Sequence, residues 1–109
     1  MNFWNNLESA ADWENIIRES HEKPVLVFKH STRCSISQMA LDRLNRSWKP
    51  ETQTLINAWY LDLLNFREIS NRIAADTGIE HQSPQLLLLK DGRCIKVESH
   101  QAIRLEDFV

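Results

Sequence analysis

Cysteine is scarce in this sequence: only Cys34 and Cys94 occur, and they lie far apart in the chain. Two distant cysteines do not make the disulfide framework of a small secreted domain. Together with the four histidines they also lack the spacing of a zinc site, so no metal is expected. A lone reactive thiol fits a reducing compartment, and the expectation is therefore a cytoplasmic protein.

The sequence also lacks a long apolar run and a strong charge of either sign. No stretch approaches the roughly 20 apolar residues of a membrane helix, and Met1 to Asn6 show neither a basic region nor an apolar signal core. The net charge of −2 gives no reason to expect nucleic acid or a membrane as partner. The 109 residues suffice for one domain, which is predicted to span residues 1–109.

A strand, a short turn and a helix are predicted around the first cysteine. Val25 to Phe28 is an unbroken apolar run, typical of a strand that is buried on both faces. From Ser35 the apolar residues recur at helical spacing, and Pro50 sets the latest end of that helix. Cys34 therefore lies at a helix N-terminus, where unpaired N–H groups and the helix dipole favour an anion. A thiol in this place forms the reactive thiolate easily, although a cysteine can also be a small buried apolar residue.

Three positions after Cys34, where dithiol oxidoreductases have a second cysteine, this chain has Ser37. Its hydroxyl, one helical turn along, can donate a hydrogen bond to a thiolate but cannot form a disulfide. A site with one cysteine can attack a mixed disulfide and hold the product, but it needs an outside thiol to finish the reaction. The alternative is that Ser37 is an ordinary residue of the first helical turn.

The stretch His30-Ser31-Thr32-Arg33-Cys34-Ser35-Ile36-Ser37 resembles the H-S-T-x-C-P-I-S motif of the monothiol bacilliredoxins, thioredoxin-like proteins of the bacillithiol system. The resemblance extends over most of the chain, including the preceding strand and the later Ser-Pro and Asp-Gly pairs. It implies a thioredoxin fold and the removal of bacillithiol from S-thiolated cytosolic proteins. By position, Cys34 matches the active cysteine and Ser37 the trailing serine. Ser35 stands where the family usually has proline, a residue suited to a first helical turn. This departure concerns how reactive the thiol of Cys34 is more than its role.

The remaining pattern predicts the element order α-β-α-β-α-β-β-α. Two parallel strands with helical crossovers, followed by an antiparallel hairpin, make an α/β, thioredoxin-like fold: a four-stranded mixed sheet with helices on both faces. The expected features outside the cysteine stretch are a capping box at Ser9-x-x-Asp12, a polar connection from Lys49 to Gln53, a strand from Thr54 to Asp62, a helix capped by Asn65-x-x-Glu68 and stopped by Gly78, strands from Gln85 to Lys90 and from Arg93 to Glu98, a hairpin turn at Asp91-Gly92, and a short helix between His100 and Val109.

In such a fold Cys34 lies at the carboxyl end of a central strand, with Ser83 and Pro84 beside it. The fold resemblance implies a cis Ser83–Pro84 bond, which turns the Ser83 backbone toward the cysteine, ready to pair with an extended partner chain. A trans proline that only begins a strand is the alternative.

Arg33 is the side chain best placed to favour the thiolate by its charge, or to contact an acidic ligand. Bacillithiol, as the resemblance implies it, has a pair of malate carboxylates, which suit an arginine fork; an unpaired surface arginine is the alternative. Thr32 and Ser35 join Arg33, Ser83 and Pro84 as candidate substrate-binding residues. His30 is either a proton carrier or a structural histidine at the strand end.

Cys94 is predicted to be inert because the strand geometry puts it some ~15–20 Å from Cys34, whereas a disulfide needs Cα atoms within about 7 Å. The predicted function is a monothiol thiol-disulfide oxidoreductase with Cys34 and Ser37 as catalytic residues. It needs no cofactor, with bacillithiol as co-substrate, and its expected partners are S-thiolated client proteins and a low-molecular-weight thiol. A monomer is expected.

Two other functions stay open. One is an iron–sulfur cluster carrier resembling the monothiol glutaredoxins, with Cys34 of two chains and two external thiols as ligands. Glycine is too scarce to favour it, because only Gly78 and Gly92 occur, and the C-G-F-S glycine and the glycine pair of that family's ligand groove are missing. The other is a thioredoxin-like binding module without turnover.

Overall fold

Five strands form one mixed sheet in this computed structural model, which describes residues 3–109. The strands are β1 (Asn5–Asn6), β2 (Val25–His30), β3 (Asn57–Asp62), β4 (Gln85–Lys90) and β5 (Arg93–Ser99). The helices are α1 (Ala10–Glu19), α2 (Ser35–Ser47), α3 (Pro50–Leu55) and α4 (Arg67–Thr77), and two 3₁₀ turns follow at His100–Ala102 and Leu105–Asp107. Met1 and Asn2, the first residues of the segment that lacks the pattern of a signal peptide, lie outside the described residues.

The strand order is β1-β3-β2-β4-β5. β2 lies in the middle, parallel to β3 and antiparallel to β4, and all six of its residues are buried. This confirms the mixed thioredoxin-like sheet, but the expected number of four strands is wrong. The fifth strand, β1, pairs with β3 through only two exposed residues, a length at which no alternation of apolar residues can be recognised.

Helices cover both faces of the sheet, as predicted. Along β2, Leu26 and Phe28 point into a core shared with α2 and the chain end, while Val25 and Val27 point into a core shared with α1 and α4. The side chains of a strand alternate between the two faces of its sheet, so an unbroken apolar run is what a strand covered on both faces requires. The strand that leads to Cys34 is therefore held from both sides.

Three element predictions need correction. Lys49 to Gln53 is not a connection, because α3 begins at Pro50, and a proline fits the first position of a helix. The following strand accordingly begins at Asn57 rather than Thr54. Asn65 does not cap α4; the N-cap residue is Phe66, and the Asn65 side chain donates to Asp62 Oδ2 at 2.7 Å instead.

Other local predictions are confirmed. Ser9 Oγ accepts the backbone N–H of Asp12 at 3.1 Å at the start of α1. Gly78 ends α4 with a φ of 72°, a left-handed conformation that favours glycine. The β4–β5 hairpin turns at Asp91 and Gly92, whose φ values are 52° and 79°. No helix within residues 3–109 is both long and apolar enough to cross a membrane.

Candidate active site

Cys34 is the N-cap residue of α2, one short turn beyond the end of β2. Its N–H donates to the carbonyl of Ser31 at 3.2 Å, and its carbonyl accepts the N–H of Gln38 at 3.0 Å. The side chain is partly exposed and makes no capping hydrogen bond to any residue that the structure describes. The sulfur therefore lies at the positive end of the dipole of a 13-residue helix.

Ser37 is fully buried and faces β2. Its Oγ accepts the N–H of Ser31 at 3.1 Å and lies 2.7 Å from Nδ1 of His30. The sequence predicts a hydroxyl that donates to the Cys34 sulfur; in this structure its hydrogen-bond partners are His30 and Ser31. The serine thus links the last residue of β2 to the turn that precedes the cysteine.

His30 has only 1% of its surface exposed, and its ring packs between those of Phe28 and Tyr60, at centroid distances of 5.7 and 5.5 Å. Burial lowers the pKa of His30, while the charges of Asp62 and Asp42 act in the opposite direction. The imidazole is therefore neutral at neutral pH. It contacts Ser37 rather than Cys34, a pairing that sequence reasoning missed because it considered the histidine only in relation to the cysteine.

Thr32 and Arg33 are exposed, and together they line a surface cavity of about 320 Å³ with Leu64 and Asn65. The last two residues were not predicted site residues. They lie in the turn that follows β3, and the register pairs His30 with Asp62 at the carboxyl ends of two parallel strands. Because ligands bind outside the carboxyl ends of strands in open α/β sheets, this position was a usable signal.

Ser83 and Pro84 precede β4, which pairs with β2 so that Gln85 lies opposite Lys29. They are therefore at the end of β2 that leads to Cys34. The Ser83–Pro84 bond is cis, as predicted. Ser83 Oγ is buried and has no hydrogen-bond partner within residues 3–109. Ser35, the first residue of α2, is exposed and does not line the cavity of Thr32 and Arg33.

The family model of the monothiol bacilliredoxin BrxC matches residues 5–108, nearly the whole chain. The chain belongs to the monothiol bacilliredoxin family. Bacilliredoxins are redox proteins, and the arrangement around Cys34 suits that chemistry, since its partly exposed thiol lies at a helix N-terminus.

Solved structures show the fold of this bacilliredoxin. One, described as a candidate oxidoreductase with a thioredoxin fold, is 29% identical, with a TM-score of 0.83, over 97% of this chain and 90% of the other. Thioredoxin of Malassezia sympodialis is 14% identical with a TM-score of 0.72, over 89% of this chain and 78% of its own. Thioredoxin of Fasciola hepatica is 18% identical with a TM-score of 0.70, over 88% of this chain and 86% of its own. These two show the fold alone.

The second cysteine of this bacilliredoxin, Cys94, lies in β5 opposite Leu89 and packs against the core of α1 and α4. Its thiol donates to the carbonyl of Lys96 at 3.3 Å, and burial raises its pKa. Both cysteines are free thiols. No cluster of His, Cys, Asp and Glu that could hold a metal ion occurs in the part of the chain that the structure describes.

A buried lysine on the opposite face of the sheet was not foreseen. Lys29 is fully buried, and its Nζ donates to the carbonyl of Ser70 at 3.3 Å. Ser70 Oγ lies 3.1 Å from Nδ1 of His81, in the loop that leads to Pro84. Burial lowers the pKa of Lys29 to about 8. The apolar pattern of β2 ends at Phe28, and nothing in the sequence distinguishes this lysine from a solvated one.

Proposed function

We propose that this protein is a monothiol thiol-disulfide oxidoreductase that removes bacillithiol from S-thiolated cytoplasmic proteins through a mixed disulfide on Cys34. The observation that supports it is the placement of Cys34: a partly exposed N-cap of α2, with a serine and not a second thiol one helical turn later. Cys94 lies in β5 and packs against the core of α1 and α4, so an internal disulfide is not the expected end of the reaction.

The reaction is two successive thiol–disulfide exchanges. The Cys34 thiolate attacks the bacillithiol sulfur of the mixed disulfide; a new S–S bond forms, and the bond to the client protein breaks. The client leaves as a thiolate and takes a proton from water. A second bacillithiol thiolate then attacks the adduct and releases Cys34 together with oxidised bacillithiol. Each step forms one disulfide and breaks one, so no bound cofactor is needed and bacillithiol is the co-substrate.

Binding of the small thiol is assigned to the surface next to Cys34. Thr32 and Arg33 line the polar cavity of about 320 Å³, and the exposed guanidinium of Arg33 suits the carboxylates of bacillithiol. Ser35 begins α2 at the cysteine, and Ser83 and Pro84 lie at the same end of the sheet. We assign the latter pair to the backbone of the client, with one protomer sufficient for the reaction.

The test is transfer from a bacillithiolated protein to this one, followed by the intact mass of both. The client is expected to lose its adduct and Cys34 to gain it, with at most one transfer per chain in the absence of free bacillithiol. Added bacillithiol should restore multiple turnover. The same experiment with a glutathionylated client measures the preference for the small thiol.

Full turnover of the wild type without any added small thiol contradicts the monothiol mechanism. A brown protein with cluster absorption after anaerobic purification, and no adduct on Cys34, favours an iron–sulfur carrier. If neither an adduct nor a cluster forms, the protein is a binding module and the proposal is wrong.

Ser37→Cys is expected to convert the protein to a two-thiol enzyme. The introduced thiol lies one helical turn from Cys34, within the range of about 7 Å between Cα atoms that a disulfide needs, so it can resolve the adduct internally. Under a mild oxidant most chains of the variant should form an internal disulfide, measured by mass after alkylation, whereas the wild type should accumulate mixed disulfides.

Ser47→Cys is the matched control, because Ser47 is the last residue of the same helix. At a rise of about 1.5 Å per residue the introduced thiol lies on the order of 20 Å from Cys34, too far for a disulfide. If Ser37→Cys accumulates mixed disulfides as the control does, the two residues do not share the first helical turn as described.

A further inference from the structure

A chain of hydrogen bonds runs from His30 to the backbone of Cys34. Nδ1 of His30 lies 2.7 Å from Ser37 Oγ, and that oxygen accepts the N–H of Ser31 at 3.1 Å. The carbonyl of Ser31 in turn accepts the N–H of Cys34 at 3.2 Å. The turn that presents the thiol is therefore connected through Ser37 to a buried, titratable ring.

The direction of the first of these bonds depends on where the imidazole has its hydrogen. A serine hydroxyl has one hydrogen and two lone pairs, and one lone pair already accepts the N–H of Ser31. If Nδ1 of His30 has no hydrogen, the hydroxyl must donate its only hydrogen to the ring. If Nδ1 is protonated, it donates to the remaining lone pair, and the hydroxyl hydrogen of Ser37 is free for another acceptor.

We propose that His30 is a positioning residue for the thiol at Cys34: it holds the Ser37 hydroxyl hydrogen while neutral and releases it toward the sulfur when protonated. This rests on the proposed function only in that Cys34 is the reacting thiol. Residues three apart on a helix lie on the same face, so the sulfur of Cys34, one helical turn away, is the acceptor to which we assign the released hydroxyl hydrogen of Ser37. A hydrogen bond to the thiolate stabilises the ionised form.

The groups around His30 determine when this release occurs. Asp62 and Tyr60 face the ring from β3, Asp42 and Cys34 lie on α2, and the other ring neighbour, Phe28, is apolar. Burial lowers the pKa of His30 more than the two carboxylates raise it. The ring is therefore uncharged at neutral pH, and in the proposed resting state its Nδ1 has no hydrogen and accepts the hydroxyl hydrogen of Ser37. Acidification below the usual range of histidine protonates the ring and releases that hydrogen.

The test is a pair of variants with matched shapes, probed by the rate of Cys34 alkylation with iodoacetamide at pH 7. His30→Phe keeps a ring between Phe28 and Tyr60 but removes the nitrogen, so the hydroxyl is free. The rate should rise about three- to tenfold, the effect of one hydrogen bond to the thiolate. In the double variant, Ser37→Ala should abolish the gain from His30→Phe, so that the double variant reacts no faster than Ser37→Ala alone.

The rate–pH profile provides a second readout. The wild type should show two inflections, one from the thiol and a more acidic one from His30, and both His30→Phe and Ser37→Ala should show only the first. If the acidic inflection persists in Ser37→Ala, the imidazolium acts on the sulfur directly by its charge, and the positioning role is wrong. If the double variant shows the two single effects on the alkylation rate independently, one multiplied by the other, the positioning role of His30 is also wrong.

A measurement on the wild-type protein tests the proposal even if the variants fail to fold. The ¹⁵N NMR shifts of His30 should show Nδ1 without a hydrogen at neutral pH; a protonated Nδ1 there overturns the proposal. All these measurements use iodoacetamide and no bacillithiol. A failure to transfer bacillithiol in the presence of the expected alkylation pattern therefore refutes the proposed function and not the role of His30.

Discussion

Cys34→Ser is expected to abolish the transfer of bacillithiol to this protein, while Cys94→Ser leaves it nearly intact. The first change removes the nucleophile, because a serine hydroxyl is not ionised at neutral pH and does not exchange with disulfides. The second changes a thiol that is half-buried in β5, donates to the carbonyl of Lys96 and has a pKa raised by burial. Transfer is measured by intact mass of the client and of this protein.

Labelling of the native protein tests the same assignment without a substrate. A thiol alkylator at neutral pH should modify Cys34 first, since only that sulfur lies at a helix N-terminus. Peptide mapping of a time course gives the two rates separately. Faster labelling of Cys94, or retention of transfer in Cys34→Ser, means that the reactive thiol has been assigned to the wrong cysteine.

Lys29→Met is expected to raise the free energy of unfolding at pH 7 by up to about 3 kcal/mol and to change how stability depends on pH. The pKa of Lys29 falls from an ordinary 10.5 to about 8 on burial, so between these values the unfolded chain binds more protons than the folded one. The free energy of unfolding therefore rises as the pH increases from about 8 to about 10.5. Below about pH 8 the buried ammonium is charged, and its burial lowers the free energy of unfolding by the full amount. Methionine is of similar length and has no charge to bury.

The measurement is chemical denaturation of both proteins at pH 7 and pH 10. The gain from Lys29→Met should be largest at pH 7 and fall to roughly a quarter of that value at pH 10. Loss of the Lys29 hydrogen bond leaves the Ser70 carbonyl paired within α4. Lys90→Met is the control, because Lys90 is an exposed lysine at the other end of the neighbouring strand. Equal pH profiles for wild type and Lys29→Met would show that the ammonium is hydrated in the native state.

The sequence was sufficient for the elements with strong local signals. The apolar run of β2, the helical spacing after Ser35, the stop at Gly78 and the hairpin at Asp91-Gly92 are all confirmed. Each depends on the chemistry of residues near one another in the chain. β1 and α3 were missed because two exposed residues and a single turn and a half of polar helix have no periodicity to recognise.

The position of Cys34 in the fold was predicted correctly, but the side chains around it were not. The position of Cys34 follows from one strand and one helix, whereas the partners of Ser37 depend on which way its side chain turns. Packing of α2 on the sheet makes that residue fully buried and brings it to His30. Asn65 and Leu64 reach the cavity of Arg33 because β3 pairs with β2, so only the predicted parallel pairing of the two strands, and no feature of residues near Arg33 in the chain, could have identified them.

The central place of β2 has a consequence for synthesis of the chain. Its partner β3 follows within the first two thirds of the sequence, but its other partner, β4, comes only at Gln85–Lys90. Until those residues leave the ribosome, one edge of the strand that ends at the reactive thiol is unpaired and apolar, which is a hazard for aggregation. Because pairing across a long stretch of chain is slow, β2 gains its second neighbour only after β3 and the helices between them have been made.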